Sequence, residues 1–518
     1  MSQQFDIAII GAGPGGYSTA LRAAQLGKSV ALIERDNTLG GTCLNRGCIP
    51  SKALITAART MNTIHEASEV GINATIDSVD FGAMNAYKTG IVETMTSGLA
   101  GLVAHRGVVV FQGEAQIGGA QGHTVTVTPS RADQPEASVR RFRESGVGED
   151  LGASLDIEAT DIIVAIGSQP KPLPQHNFSG ALIDSTQALS LGRVPASAVI
   201  IGAGAIAVEF ASMWKTSGCD VTLLIRKDRV LSSWDRRTGA ALTRELRRRG
   251  INVVTQANVT SVDVGVNLGA TVHYTCEGRS TACTTFGEVA LAAIGRQPAT
   301  SAPWISGCGI ELTDAGFVKT DAYGRTGIPG IWAVGDVTEG ESLANRAFEQ
   351  GIVVAESIAG LNPRPVNDDT VAKVVFSTPE AASVGCTAEQ ARAREDLGDI
   401  EETVFPMLSN ARMLMSRSAG SLCIVSGQIT TAHNSSDASG ASDIANEPES
   451  AADRDARVVL GVHILAPDAG DLIAEAEQLI GNRVPLSQAA RLIHPHPTFS
   501  ETIGEALLKA DGRPLHTR

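Results

Sequence analysis

The sequence contains no apolar run approaching the roughly 18 to 20 residues that a membrane span requires, so no membrane association is expected. Its opening, MSQQFDIAIIGAG, lacks the basic flank and small-residue cleavage site of a secretory signal, and a soluble, cytoplasmic protein is predicted. Positive charge is also in short supply: 42 Lys and Arg stand against 56 Asp and Glu, a formal net charge of -14. Nucleic-acid binding depends heavily on Lys and Arg contacts to phosphates, so no nucleic-acid partner is predicted. Eight cysteines in 518 residues, with one close pair of suggestive context, do not make the disulfide framework of a secreted protein. No second Cys or His pair stands at zinc-finger spacing near that pair, so no metal site is predicted either.

What the sequence does contain begins with length. At 518 residues, 43% hydrophobic and 19% charged, it exceeds one ordinary core and predicts three or four domains. The stretch FDIAIIGAGPGGYSTALRAAQLGKSVALIE, from Phe5 to Glu34, reads as an apolar strand, a glycine-rich turn, a helix and a second apolar strand. A second copy, AVIIGAGAIAVEFASMWKTSGCDVTLLIR, starts at Ala198. Gly11, Gly13 and Gly16 then correspond to Gly202, Gly204 and Ala207 at an offset of 191 residues. In such a βαβ unit the first glycine makes a tight turn and the second lets a pyrophosphate approach the backbone. The helix N-terminus then faces the anion with free N–H groups. Glu34, 23 residues after Gly11, is placed to take ribose hydroxyls.

Two polar segments rich in Ser, Ala, Asp and Gly, about 129–154 and 430–457, read as loop insertions without either hydrophobic period. The second lies between SLCIVSG and VVLGVHIL, which read as hairpin strands. From about Val366 onward strands and helices alternate without a glycine fingerprint, which predicts a separate C-terminal domain.

The most specific signal is GGTCLNRGCIPSKAL, with Cys43 and Cys48 separated by four residues. Residues five apart in a regular helix are displaced by roughly 7.5 Å, against a usual disulfide Cα separation of about 5.5 to 6 Å. A bridge here needs an irregular turn, for which Gly47 and Pro50 supply the means. A disulfide closing so small a loop contributes little chain entropy, so redox chemistry is a better reading than a structural staple. Two unrelated buried thiols are the alternative. Cys219, Cys276, Cys283, Cys308, Cys386 and Cys423 read as buried or incidental.

With these motifs the chain resembles the pyridine nucleotide-disulfide oxidoreductase family, and within it the branch that oxidises dihydrolipoamide, over nearly its whole length apart from the two insertions. The resemblance implies an α/β protein: two Rossmann-like dinucleotide-binding domains plus a C-terminal α+β dimerisation domain. The segments would be 1–169 (FAD-binding), 170–297 (NAD(P)-binding), 298–366 (completing the FAD site) and 367–518 (dimerisation). It implies FAD as cofactor, NAD or NADP as electron acceptor, and a homodimer. The partner would be a lipoyl-bearing protein, either the acyltransferase component of a 2-oxo-acid dehydrogenase complex or the H protein of glycine cleavage. Carried over, Cys48 is the thiolate in contact with the flavin and Cys43 the sulfur that exchanges with substrate. Lys52 is the cation near the flavin, paired with Glu209. Gly41, Thr42, the turn at Gly113, AIGS with Gly167 and Ser168, WAVGD with Asp336, and Leu343 and Ala344 complete the FAD contacts. Asn345 stands where the family usually has His, which puts that local flavin contact in question.

The C-terminal HPHPTFSE supplies a His that can act as a base near neutral pH and a carboxylate five residues on that can orient it. By resemblance His496 is the base, Glu501 its partner, and His496–Pro497 a cis bond, with the His serving the disulfide of the other subunit. Ser51 before Lys52 favours the lipoamide branch over the glutathione branch, which commonly has a second Lys there. Mercuric reductase and the large thioredoxin reductases add a C-terminal Cys pair, whereas the last Cys here is Cys423. A redox-silent assembly subunit is the reading of another class, and intact Cys43, Cys48, His496 and Glu501 argue against it. In the second fold the resemblance places Gly202, Gly204, Ala207 and Gly295 at the nicotinamide cofactor. The offset from Glu34 lands on Ile225, followed by Arg226 and Lys227, which leans toward NADP although the family usually takes NAD.

Overall fold

The computed structural model of the chain describes residues 3–118, 123–130, 138–142, 148–265, 269–278, 282–418, 420–430 and 457–517. Most of the predicted insertion at 430–457 therefore lies outside the described residues.

The apolar run of Gln3–Ile10 forms the centre of a parallel sheet, flanked by Val30–Glu34 on one side and Leu155–Val164 on the other. Val109–Gln112 and Ile331–Ala333 extend it at the two edges, both parallel. The 331–333 strand comes from the segment predicted to complete the FAD site. The same segment packs the helix Ala344–Ile358 on the helix Pro14–Gln25, tied by Arg22 Nη2 to Glu356 Oε1 at 2.5 Å. A side chain at Gly351 would collide with the Gly15 carbonyl oxygen and the side chains of Ser18 and Thr19, so the two helices can approach only because that residue is glycine.

The predicted insertion at 129–154 is not wholly loop. Arg140–Arg141 and Glu149–Asp150 pair antiparallel with each other and extend the sheet beyond Val109–Gln112. Val139 beside them is fully buried. Two-residue strands are too short to carry a period-2 pattern, which is why the sequence reads as loop there.

The second copy builds another parallel sheet, in the order Leu182–Ile183, Val289–Ala292, Ser197–Ile201, Asp220–Leu224, Asn252–Val254. Its helix Ala205–Thr216 is buried along most of its length. The C-terminal part is a five-stranded antiparallel sheet in which Ser421–Ile429 and Val458–Ala466 pair as the sequence predicts. The helices Ala469–Gly481 and Glu501–Ala510 pack on it around a core that includes Ile424, Ile464, Ile473 and Leu507. The architecture is thus the α/β class with two nucleotide-type sheets and a C-terminal α+β unit. No helix among the described residues is long and apolar enough to cross a membrane.

Candidate active site

The two glycine turns open into one continuous cavity of about 1310 Å³. In the first, the close approach of strand and helix leaves no room for Cβ atoms: one at Gly11 would lie 2.5 Å from the Ala165 carbonyl oxygen, and one at Gly16 would overlap the Gly11 carbonyl oxygen. Above Gly13 the space is open, with Gly41 Cα the nearest atom at 3.9 Å from such a Cβ. The helix Pro14–Gln25 starts at Gly13 and the helix Ala205–Thr216 at Gly204, and neither N-terminus carries a side-chain cap. Their free N–H groups line the cavity and suit phosphate oxygens. Residues of both turns fit a dinucleotide each: Gly11, Gly13, Gly202 and Gly204, uncapped donors and long, shaped space.

Glu34 lies at the end of its strand, buried, with Oε2 accepting from Ala12 N (2.8 Å) and Oε1 from Asp36 N (3.0 Å). Burial pushes its carboxyl pKa up, and the two backbone donors oppose that shift. Gly113 N donates to the Glu34 carbonyl at 2.9 Å, fixing the neighbouring turn.

The redox motif folds as two helices broken at one residue. Gly41–Arg46 ends at Gly47, and Cys48–Glu66 begins immediately after it. A Cβ at Gly47 would lie 2.9 Å from the Thr42 carbonyl oxygen, so glycine is needed where the chain turns back on itself. Pro50, in the first turn of the second helix, sits where no N–H is required. This break is the irregular turn that the spacing demanded. It brings Cys43 and Cys48 into side-chain hydrogen-bonding contact as a dithiol.

The two thiols differ electrostatically. The hydrogen bond from Cys43, supported by the Lys52 ammonium, lowers the Cys48 pKa to about 7 against the opposing effect of burial. The same hydrogen bond, with burial, pushes Cys43 far above the ordinary thiol range. Cys48 is exposed to the cavity rather than enclosed in core. Lys52, one turn along the helix, is held by Glu209 from the second nucleotide fold and lies 4.6 Å from the Phe376 ring centroid.

Between the two turns sits a cluster of which the sequence reading found only part. Ser168 Oγ donates to Asp336 Oδ2 at 2.6 Å. Arg296 donates from Nε to Ser168 Oγ at 2.7 Å and from Nη2 to the Ser168 carbonyl at 2.6 Å. Arg296 lines the cavity beside Cys48 and was missed. The signal was present: AIGS at 165–168 recurs as AIGR at 293–296, and the short strands that follow, Ser168–Pro170 and Arg296–Pro298, pair with each other.

The cavity also collects Gly41, Thr42, Gly167, Gly295, Leu343, Ala344, Arg226 and Lys227. Asn345 does not line it; its amide donates to the Ala372 carbonyl at 3.0 Å. Gly16 and Ala207 lie beneath the floor as packing positions, and Ala207 is fully buried.

His496 and Glu501 lie elsewhere in the chain, on the C-terminal unit, and do not line this cavity. His496 Nδ1 meets Glu501 Oε2 at 2.7 Å, and the His496–Pro497 bond is cis. Glu501 is itself held by Asn410, whose buried amide donates to Glu501 Oε1 (2.8 Å) and to the Thr498 carbonyl (2.9 Å). The imidazole side chain is 78% exposed.

The family profile described as pyridine nucleotide-disulphide oxidoreductase matches residues 5–351, and the profile of that family's dimerisation domain matches residues 449–507. Curated relatives include the dihydrolipoyl dehydrogenase of Geobacillus stearothermophilus, 34% identical over 98% of this chain and 96% of that protein. The dihydrolipoyl dehydrogenase of Halobacterium salinarum is also 34% identical, over 99% and 97%. Among solved structures, LpdA of Mycobacterium tuberculosis shares the fold, with a TM-score of 0.78, 24% identity and coverage of 98% of this chain and 99% of that one. The HOCl-induced flavoprotein disulfide reductase RclA of Escherichia coli, as its Cu(II) complex, aligns with a TM-score of 0.75 and 26% identity over 98% and 99%.

Proposed function

The chain belongs to the pyridine nucleotide-disulphide oxidoreductase family, and on that premise we propose that it oxidises protein-bound dihydrolipoamide to lipoamide and passes the electrons to NAD(P)+. The observation that carries the reading is the polarised dithiol, Cys43 with Cys48, at the meeting point of two glycine turns built for dinucleotides.

The first turn, with Glu34, Gly41, Thr42, Ser168 and Asp336, would hold FAD, and the second, with Gly202 and Gly204, the nicotinamide nucleotide. FAD supplies the two-electron link between the dithiol and the nicotinamide. In the oxidised protein a substrate thiolate attacks Cys43 Sγ; the Cys43–Cys48 bond breaks and Cys48 leaves as thiolate. The second substrate thiolate then attacks the substrate sulfur bound to Cys43, closing the lipoamide disulfide and releasing Cys43, which takes up a proton. Lys52, and Arg296 through space, favour the anionic Cys48 that this sequence leaves behind.

The substrate protons require a base. His496, oriented by Glu501, supplies it to the partner subunit's dithiol, which the exposed imidazole and the matched dimerisation domain support. A glutathione-type disulfide reductase is the nearest rival. Steady-state turnover of dihydrolipoamide and of glutathione disulfide with the purified protein tests the reading: rapid use of the first and none of the second is expected, and the reverse pattern overturns it.

A further inference from the structure

Strand register aligns the two nucleotide folds independently of the sequence motif. Ile10 pairs with Ile33 in the first sheet, and Ile201 with Leu224 in the second. Glu34, Arg35 and Asp36 therefore stand where the second fold has Ile225, Arg226 and Lys227. The exchange changes the charge at the end of the strand from -1 to +2.

The side chains behave accordingly. Glu34 occupies the end of its strand and accepts the Ala12 N–H, closing that donor to any anion. Ile225 is fully buried, its N–H donates to the Val254 carbonyl, and its side chain packs into the core of the second sheet. Among the described residues no carboxylate reaches the Ala203 N–H, the counterpart of Ala12. Arg226 and Lys227 are exposed, line the cavity, and have no carboxylate partner among the described residues. The nearest acid in sequence, Asp228, is already bound by Arg229 (2.9 Å) and Arg236 (3.2 Å). Ser232, Ser233 and Asn258 also line this cavity and offer neutral hydrogen-bonding groups. A protein of net charge -14 thus carries an uncompensated cationic corner at the position where a ribose 2′ substituent is read.

We propose that Arg226 and Lys227 form a 2′-phosphate subsite, so that the second fold selects a 2′-phosphorylated adenine nucleotide, NADP(H), over NAD(H). A 2′-phosphate brings a nearly double negative charge and several acceptor oxygens, which suit a guanidinium and an ammonium, while the absent carboxylate removes the repulsion that ordinarily rejects it. The inference rests on the proposed oxidoreductase reading only in naming the nucleotide; the subsite is a binding property that turnover of lipoamide does not test.

The experiment is calorimetric titration of the FAD-loaded protein with adenosine 2′,5′-bisphosphate and with 5′-AMP at low and at high salt. Wild type is expected to bind the bisphosphate at least about tenfold more tightly, with the margin narrowing as salt screens the exposed cations. Arg226→Glu should abolish or invert the preference, and the milder Lys227→Gln should reduce it. Retained 5′-AMP binding and bound flavin show that the variants are folded. Equal binding of the two nucleotides by wild type, or an unchanged margin in Arg226→Glu, overturns the proposal. Loss of lipoamide turnover with the margin intact would instead count against the substrate reading alone.

Discussion

The Lys52 ammonium lies 2.9 Å from one oxygen of Glu209 and 3.0 Å from the other, joining the helix that carries Cys48 to the helix that opens the second nucleotide fold. Glu209 Oε1 also accepts the Phe376 N–H at 3.0 Å, so one carboxylate ties both folds to the C-terminal unit. The pair sets a charge beside the thiol as well as a contact between domains.

Replacing Lys52 by Met removes an attraction that favours the Cys48 thiolate. A cysteine is anionic above its pKa, so in wild type the thiolate of the reduced protein should develop as pH rises through about 7. In Lys52→Met the midpoint should move upward by about one unit, roughly 1.4 kcal/mol. Glu209→Gln should move it downward, because that carboxylate opposes the thiolate. The pH dependence of iodoacetamide alkylation measures both; a midpoint unmoved in Lys52→Met would remove Lys52 from the account.

Cys43→Ser and Cys48→Ser should differ in colour as well as in activity. With Cys43 replaced, Cys48 remains as a thiol open to the cavity and, as thiolate against the flavin in the proposed arrangement, should give a long-wavelength charge-transfer band without reductant. With Cys48 replaced, no such band is expected. Identical absorption spectra would mean that the two roles are wrongly assigned.

The two glycine turns predict opposite tolerances. Gly16→Ala forces a Cβ into the Gly11 carbonyl oxygen and should shift the strand–helix turn, with loss of bound FAD on purification. Ala207→Gly, at the equivalent position, removes one buried methyl and raises the backbone entropy lost on folding, and should cost about 1 to 2 kcal/mol with nucleotide binding retained. Flavin content and thermal melting separate the cases.

His496→Gln should depress dihydrolipoamide oxidation by on the order of a hundred to ten thousand fold, with flavin reduction by the reduced nicotinamide nearly intact. Asn410→Ala frees one oxygen of Glu501 and should produce a smaller loss confined to the same half-reaction. Stopped-flow measurement of both half-reactions decides it: equal losses in the two would make His496 structural.

Much of this was legible because the chemistry depends on short spacings. The glycine pattern needs a strand before it and a helix after it, and CxxxxC needs a break, which Gly47 provides. Arg296 escaped because the strand it opens, Arg296–Pro298, is too short to show a period; only the repeat of AIG marks its place. The strands Arg140–Arg141 and Glu149–Asp150 escaped because two residues are too few to show a period. Asn345 was a departure from the family's usual His; its amide donates to the Ala372 carbonyl at 3.0 Å and it does not line the cavity. His496 does not line the cavity that holds the dithiol, and its service to a partner subunit was an expectation from the resemblance rather than from any local spacing.

The most direct test is an anaerobic titration of the oxidised, FAD-loaded protein with dihydrolipoamide, counting protein thiols and released lipoamide. The account predicts one lipoamide formed for each pair of new thiols, located by alkylation and peptide mapping at Cys43 and Cys48, together with a change in the flavin spectrum. Unchanged thiols and an unchanged spectrum in the presence of excess dihydrolipoamide would contradict it.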